Sequence, residues 1–310
     1  MKFKNILMIL LFFATTHTEA WGACGLSLTT NNITINWTTS YTTQAIQFTL
    51  TKALAPACNF IIGITKGGAA NYSRLATNGG NQISYQLWKE PAQTNILKDS
   101  PDVTSANDVI VGGFVGGPNL NQTITYYLDI PYSSMTTPTL AIAGAYTDTY
   151  TIDVYESNDP LVLGPVVTSA VITLTVNVPR IIGLSLVNTG AAYDSFATNR
   201  AINWGTMTAG QTTVFDFRVQ TNAGFTISFS SAYGGYMRSA PAASGVPYRC
   251  YANNVLLDLS GPAAGPAGPG QTGLQGIAYP IRVVIGTATP QFLLSGSVSD
   301  IITVTATTTE

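Results

Sequence analysis

Asp148, Asp153, Glu156 and Asp159 are the side chains of this 310-residue sequence that come nearest to a catalytic or metal-binding pattern. Two carboxylates at the right separation hydrolyse glycosides, and a cluster of four can hold calcium. Their surroundings argue against both. They lie in and just after the stretch YTDTYTIDVYE (residues 146–156), which alternates as a strand does. That alternation sends Asp148 and Glu156 to one face and Asp153 to the other, so solubility and turn formation are the expected roles. The single histidine, His17, falls in the leader described below, which removes Ser-His-Asp, Cys-His and His-based metal chemistry from the mature chain. Gly112-Gly113 and Gly116-Gly117 precede no helix and form no nucleotide fingerprint. The run GPAAGPAGPG (residues 261–270) is too short and irregular for a triple helix and reads as a flexible loop. The chain is expected to be no enzyme, with no cofactor and no metal.

The elements that hold these residues begin after an export signal. Lys2 and Lys4 open the chain, an apolar run from Ile6 to Ala14 follows, and Thr18-Glu19-Ala20 ends in a small residue suited to cleavage, so residues 1–20 read as a signal peptide. Cleavage would leave 11 basic residues (13 less Lys2 and Lys4) and 14 acidic ones (15 less Glu19). With no basic patch, nucleic acid and anionic lipid are excluded as expected partners. In an exported protein Cys24 and Cys58 are expected to form a disulfide, and Cys250 to remain a buried thiol in a strand.

Charged residues make up only 9% of the chain, and Thr, Ser, Asn, Gly and Tyr are abundant, a composition of sheets and tight turns. The halves repeat one another in order. Gly25-Leu26-Ser27-Leu28 matches Gly183-Leu184-Ser185-Leu186, and Ile35-Asn36-Trp37 matches Ile202-Asn203-Trp204. Further on, Tyr72-x-Arg74 matches Tyr236-x-Arg238, Tyr85 falls opposite Tyr248, and Asp148 falls opposite Asp300. The pattern predicts an all-β chain of two Greek-key immunoglobulin-like sandwiches, over residues 21–178 and 179–310, with the boundary near Pro179.

The repeat is unequal. After Glu156 come a loop and a further strand, AVITLTVNV (residues 170–178), whereas only Thr309 and Glu310 follow the equivalent Thr308. The second sandwich is therefore expected to lack its final strand and to expose an apolar edge that another chain fills. Only Trp21, Gly22 and Ala23 would precede Cys24 in the mature chain, so it is expected to accept a strand without donating one and to end a fibre.

Cys24 before a first strand, Tyr72-Ser73-Arg74, the strand Ile83-Ser84-Tyr85-Gln86-Leu87 and the terminal strand from Gly144 through Asp148 to Ile152 resemble spore coat protein U-like domains. The two-domain layout resembles the tip adhesin of archaic, Csu-type chaperone–usher pili. The second half departs from the family in lacking both cysteines, and Leu75 and Ser239 stand where the family has Met. The resemblance implies a periplasmic pilus chaperone, an outer-membrane usher and an adjacent pilin subunit as partners, and export through the periplasm to the pilus tip.

Three loops are expected to share the pole far from Pro179: residues 66–80, 112–121 and 157–169. They carry Tyr72 and Leu75; Phe114, Val115 and Leu120; and Leu161, Val162, Leu163, Val166 and Val167. Exposed loops are usually polar, so these residues predict a hydrophobic patch that attaches to surfaces and initiates biofilm. The alternatives are a glycan-binding tip using Trp88, Tyr72 and nearby Asn, and a non-adhesive coat or minor pilin subunit.

Overall fold

The computed structural model describes residues 24–38, 43–136, 140–240, 245–268, 270–286 and 297–309; the expected leader lies outside them. The fold is all-β and follows the alternation of β-branched and aromatic residues with polar ones. In the first half the strands are β1 (Leu26–Thr29), β2 (Ile33–Asn36), β3 (Gln44–Lys52), β4 (Cys58–Ile64), β5 (Leu75–Asn78), β6 (Asn81–Ser84), β7 (Gln86–Trp88), β8 (Ile110–Phe114) and β9 (Leu120–Asp129). The short helix α1 (Tyr132–Thr136) then leads to β10 (Gly144–Tyr155) and β11 (Val166–Val178). One sheet runs β1-β3-β9-β7 and the facing sheet β2-β11-β10-β4-β8, with β5 joined to β10 and β6 to β5. Between the sheets lies one core, in which the Tyr126 and Tyr150 hydroxyls bond each other at 2.7 Å.

The second half contains β12 (Ile182–Val187), β13 (Thr212–Thr221), β14 (Phe225–Ser231), β15 (Tyr236–Met237), β16 (Val246–Ala252), β17 (Val255–Leu256), β18 (Ala263–Ala264), β19 (Ile277–Ile285) and β20 (Ile302–Thr308). They form a β12-β13-β19-β16-β15 sheet, with β17 on β16, and, among the described residues, a facing sheet of β18-β14-β20 around a separate core. The Gly-Pro run is no free loop. Ala263–Ala264 is strand β18, and Gly265 and Gly268 donate to the Ile227 and Phe225 carbonyls along β14. A Cβ at Gly268 would collide with the Phe225 ring, so glycine lets this segment close over the aromatic edge of the core.

Between the halves, the Asn222 side chain brackets the connecting segment: it donates to the Pro179 carbonyl at 2.9 Å and accepts from the Ile181 N–H at 2.8 Å. Ala143 N–H donates to the Asn222 carbonyl and Leu140 N–H to that of Thr272, both at 3.0 Å.

Cys24 and Cys58 are disulfide-bonded, 34 residues apart, and Cys250 is a free, buried thiol on β16. Loop closure of that length contributes about 3–4 kcal/mol. Reduction is expected to lower the melting temperature of the first sandwich by roughly 10 °C, and Cys58→Ser to abolish the response to reductant; differential scanning calorimetry of the full chain with and without thiol checks both.

Candidate functional site: an open groove and an apolar pole

The repeated residues meet the same partners in both halves. Tyr85 donates its hydroxyl hydrogen to Asp148 and Tyr248 donates to Asp300, each at 2.6 Å. Arg74 lies 4.9 Å from the Tyr72 ring and Arg238 lies 5.3 Å from that of Tyr236. β10 and β20 are thus equivalent strands, but their neighbours differ. β10 is held between β4 and β11. Among the described residues β20 pairs with β14 alone and keeps a free edge.

The core registers that difference. Tyr150, Ile152 and Val154 of β10 are buried, because β11 brings Ile172, Leu174, Val176 and Val178 in beside them. Their equivalents on β20, Ile302, Val304 and Ala306, are only half-buried. Where a strand like β11 would lie, a cleft of about 490 Å³ opens to the core. Ile302 and Val304 form one wall, Ile202 and Trp204 the other, and Phe229 and Cys250 lie among its lining. In the first sandwich Ile35-Asn36 belongs to β2 and pairs parallel with β11, and Trp37 N–H continues that pairing by donating to the Asn177 carbonyl at 2.9 Å. The matching Ile202-Asn203-Trp204 has no strand to pair with among the described residues. Burial pushes the Cys250 thiol pKa up to about 12, so it is a packing group with little nucleophilic character.

At the end of the first sandwich far from Pro179, three connections come together: residues 53–57 between β3 and β4, 115–119 between β8 and β9, and 156–165 between β10 and β11. Gly117 N–H donates to the Ala55 carbonyl at 2.7 Å, and Asn59 Nδ2 to Asn158 Oδ1 at 2.8 Å. Val115, Leu161 and Val162 are 75%, 59% and 66% exposed, and Leu54 on the 53–57 link and Val166 at the start of β11 are exposed as well. Other expected members of the patch lie elsewhere. Phe114, at 7% exposure, ends β8 with its ring on Phe60, and Leu163, at 9%, packs on Ile61, Val109 and Tyr155. Both turn inward because a large apolar side chain beside a core gains more from burial than from solvent. Leu120 and Val167 are half-buried against the core.

The loop at residues 66–80 does not reach the pole. Gly68 N–H donates to Asp148 and Thr77 pairs with Thr147, which fixes this segment beside the middle of β10. Tyr72 and Leu75 are half-buried there, and the Tyr72 hydroxyl accepts from Asp99 N–H at 2.7 Å. Tyr72 is therefore tied into the fold, and Trp88 buries its indole nitrogen, which weakens the sugar-stacking alternative. The residue missed in the sequence is Leu54: its short apolar link, A-L-A-P-A, has Pro56 as its one loop signal and no polar residue.

The acidic residues disperse. Asp148 serves Tyr85, Glu156 accepts from Cys24 N–H at 3.4 Å, and Asp159 accepts from Leu161 N–H at 2.9 Å in a local turn. Asp153 faces Asp99, whose carboxylate also accepts from the Tyr155 hydroxyl at 2.7 Å. Gly63, paired with Asp153 across the sheet, makes this contact fit, because a Cβ there would strike the Asp99 carboxylate. Burial first, then the hydrogen bond and charge of Asp99, push the Asp153 pKa up to about 7. The folded chain then holds a proton that the unfolded chain releases near pH 4, so stability falls as pH rises from about 4 to 7 and levels off above. Asp153→Asn keeps a donor toward Asp99 and is expected to flatten this component and raise the melting temperature at pH 8; a melting series from pH 4 to 8 checks it.

An immunoglobulin-like sandwich followed by one whose β20 edge is free among the described residues is the class of architecture present here. Residues 12–153, a little under half of the chain, match the Spore Coat Protein U domain. The match ends at Asp153, within β10, so β11 lies beyond it. Among solved structures, the CsuC–CsuE chaperone–tip adhesion subunit pre-assembly complex of Acinetobacter baumannii Csu pili is similar at a TM-score of 0.41 and 12% identity, over 91% of this chain and 99% of that one. The CupB6 tip adhesin of Pseudomonas aeruginosa is similar at 0.34 and 11% identity, over 91% and 94%. A mutant form of the CFA/I adhesin CfaE of enterotoxigenic E. coli is similar at 0.32 and 12%, over 91% and 92%. Likenesses this distant carry no argument about function. No curated protein matches the chain.

Proposed function

We propose that this protein is a fimbrial adhesin, in which the first sandwich, residues 21–178, binds a surface and the second, residues 179–310, joins the fibre by accepting a strand. The observation that carries this reading is the unequal pair of equivalent strands, β10 held on both edges and β20 on one. A free edge above a half-exposed apolar row invites a donated strand, whose main chain pairs with β20 and whose alternate side chains fill the groove. A periplasmic chaperone supplies such a strand first and an adjacent pilin subunit replaces it, with an outer-membrane usher handling assembly. The match of residues 12–153 to the Spore Coat Protein U domain supports this route.

The apolar pole lies at the opposite end of β11 from Pro179, about 40 Å away along a strand of 13 residues. Leu161, Val162, Val115 and Val166, joined by Leu54, form the attachment surface for hydrophobic materials, biotic or abiotic, as a first step in biofilm formation. Phe114, Leu163, Leu120, Val167, Tyr72 and Leu75 support it from beneath or stand apart. Immunogold labelling of assembled fibres tests the placement: label confined to tips is expected, and label along the shaft would make the chain a structural subunit instead. Expression with and without a pilus chaperone tests the acceptor role, since soluble, fully folded chain without the chaperone would overturn it.

A further inference from the structure

Lys52 is an inward-facing charged residue that the function described so far does not use. It ends β3, where Phe48 and Leu50 point into the core, and continues their alternation as a fully buried cation. Its Nζ donates to the Pro56 carbonyl at 2.7 Å and to the Val115 carbonyl at 2.6 Å, and lies 5.9 Å from the centre of the Phe114 ring. No carboxylate pairs with it among the described residues. Burying an ammonium group without a counter-ion is costly, and at this position its return is two hydrogen bonds to two separate loops.

We propose that Lys52 is a positioning residue of the attachment pole. It pins the loop that carries Leu54 to the loop that carries Val115, in register with the Gly117-to-Ala55 bond, and so holds their apolar side chains in a single preformed surface. Because the loops are ordered before contact, a hydrophobic partner gains burial without immobilising them. This inference rests on the reading of the pole as the attachment surface.

The test compares full chain, complexed with its strand donor, as wild type, Lys52→Met, Lys52→Gln and Lys52→Arg. Two readouts are taken: amide hydrogen exchange of Gly117, whose N–H bonds Ala55, and attachment to polystyrene beads. Lys52→Met is expected to speed Gly117 exchange and to weaken attachment by roughly tenfold each, while the β10–β11 amides stay protected. Lys52→Arg, which keeps a cationic donor, is expected to restore both, and Lys52→Gln to fall between. Should Lys52→Met also expose the β10–β11 amides, the Gln and Arg variants decide by the same two readouts. Unchanged Gly117 exchange would overturn the proposal, as would faster exchange with undiminished attachment. Unchanged attachment in a Leu161→Ser, Val162→Ser control would instead overturn the pole reading, leaving the Gly117 exchange to judge the tie between loops.

Discussion

Appending a second copy of residues 157–178 after Thr308 raises the melting temperature of the second sandwich by roughly 10 °C or more and frees its folding from the chaperone. The copied strand already closes the first sandwich, where Tyr150 and Ile152 lie opposite Ile172 and Ala170. Asp148 and Asp300 set the register, which places the copied Ile172 opposite Ile302 and the copied Leu174 opposite Asp300. Each inward side chain contributes about 1.5–3 kcal/mol on burial. Ordering the strand costs about 1–2 kcal/mol per residue of backbone, so only a small surplus remains. A net gain of about 3 kcal/mol is enough for the expected shift in a domain of this size. Calorimetry of the full chain reads it. The control graft, with Ile172, Leu174 and Val176 changed to Ser in the appended copy only, restores the backbone pairing without the apolar row. Equal stabilisation by both grafts would show that the groove does not select side chains, and no stabilisation by either would remove the open edge as the basis of assembly.

Changing Leu54, Val115, Leu161 and Val162 together to Ser weakens attachment to polystyrene on the order of hundredfold or more while the sandwich stays folded. These side chains are exposed, so their replacement costs the fold little. Each loses about 1 kcal/mol or more of apolar contact when bound, and the losses multiply in the binding constant. Many fibres engaging together amplify the difference. Attachment that survives high salt fits an apolar contact, since salt screens only charge. Inhibition by soluble sugars would point to a glycan site. Phe114→Ala and Leu163→Ala are the contrasting pair. They empty core space and are expected to destabilise the first sandwich by about 2–5 kcal/mol, with attachment falling only as folded protein is lost.

The architecture was legible because it rests on alternation, and alternation is local. The strand from residue 144 to 155, its twin near the end of the chain, and the matches of Tyr85 with Tyr248 and of Asp148 with Asp300 are legible in the sequence; that each Tyr bonds its Asp is not, because the two lie far apart along the chain. The unequal surroundings of the two twins, β10 between two strands and β20 beside β14 alone among the described residues, match the unequal repeat. The pole was legible only in part. Leu161, Val162 and Leu163 are consecutive and alike, but a turn has no fixed period, and Leu163 alone meets the satellite core of Ile61, Val109 and Tyr155. In the sequence the loop at residues 66–80 outcompetes the true link between β3 and β4, at residues 53–57, because that link is short and apolar with Pro56 as its one turn signal. The Asp99–Asp153 contact joins residues far apart in sequence across a glycine, and no local pattern announces it.

The placement of β11 also determines how the protein carries load. The strand is bonded to β10 along its length and flanked by β2, and its last residue leads straight into the Pro179–Ile181 segment bracketed by Asn222. On the proposed function, with the far pole on a surface and the fibre beyond Pro179, load would run along this strand, parallel to its axis. Its ladder of hydrogen bonds is then strained in shear, all rungs sharing the force, and cannot be unzipped one rung at a time. The segment that completes the fold is thus also the tendon of the molecule.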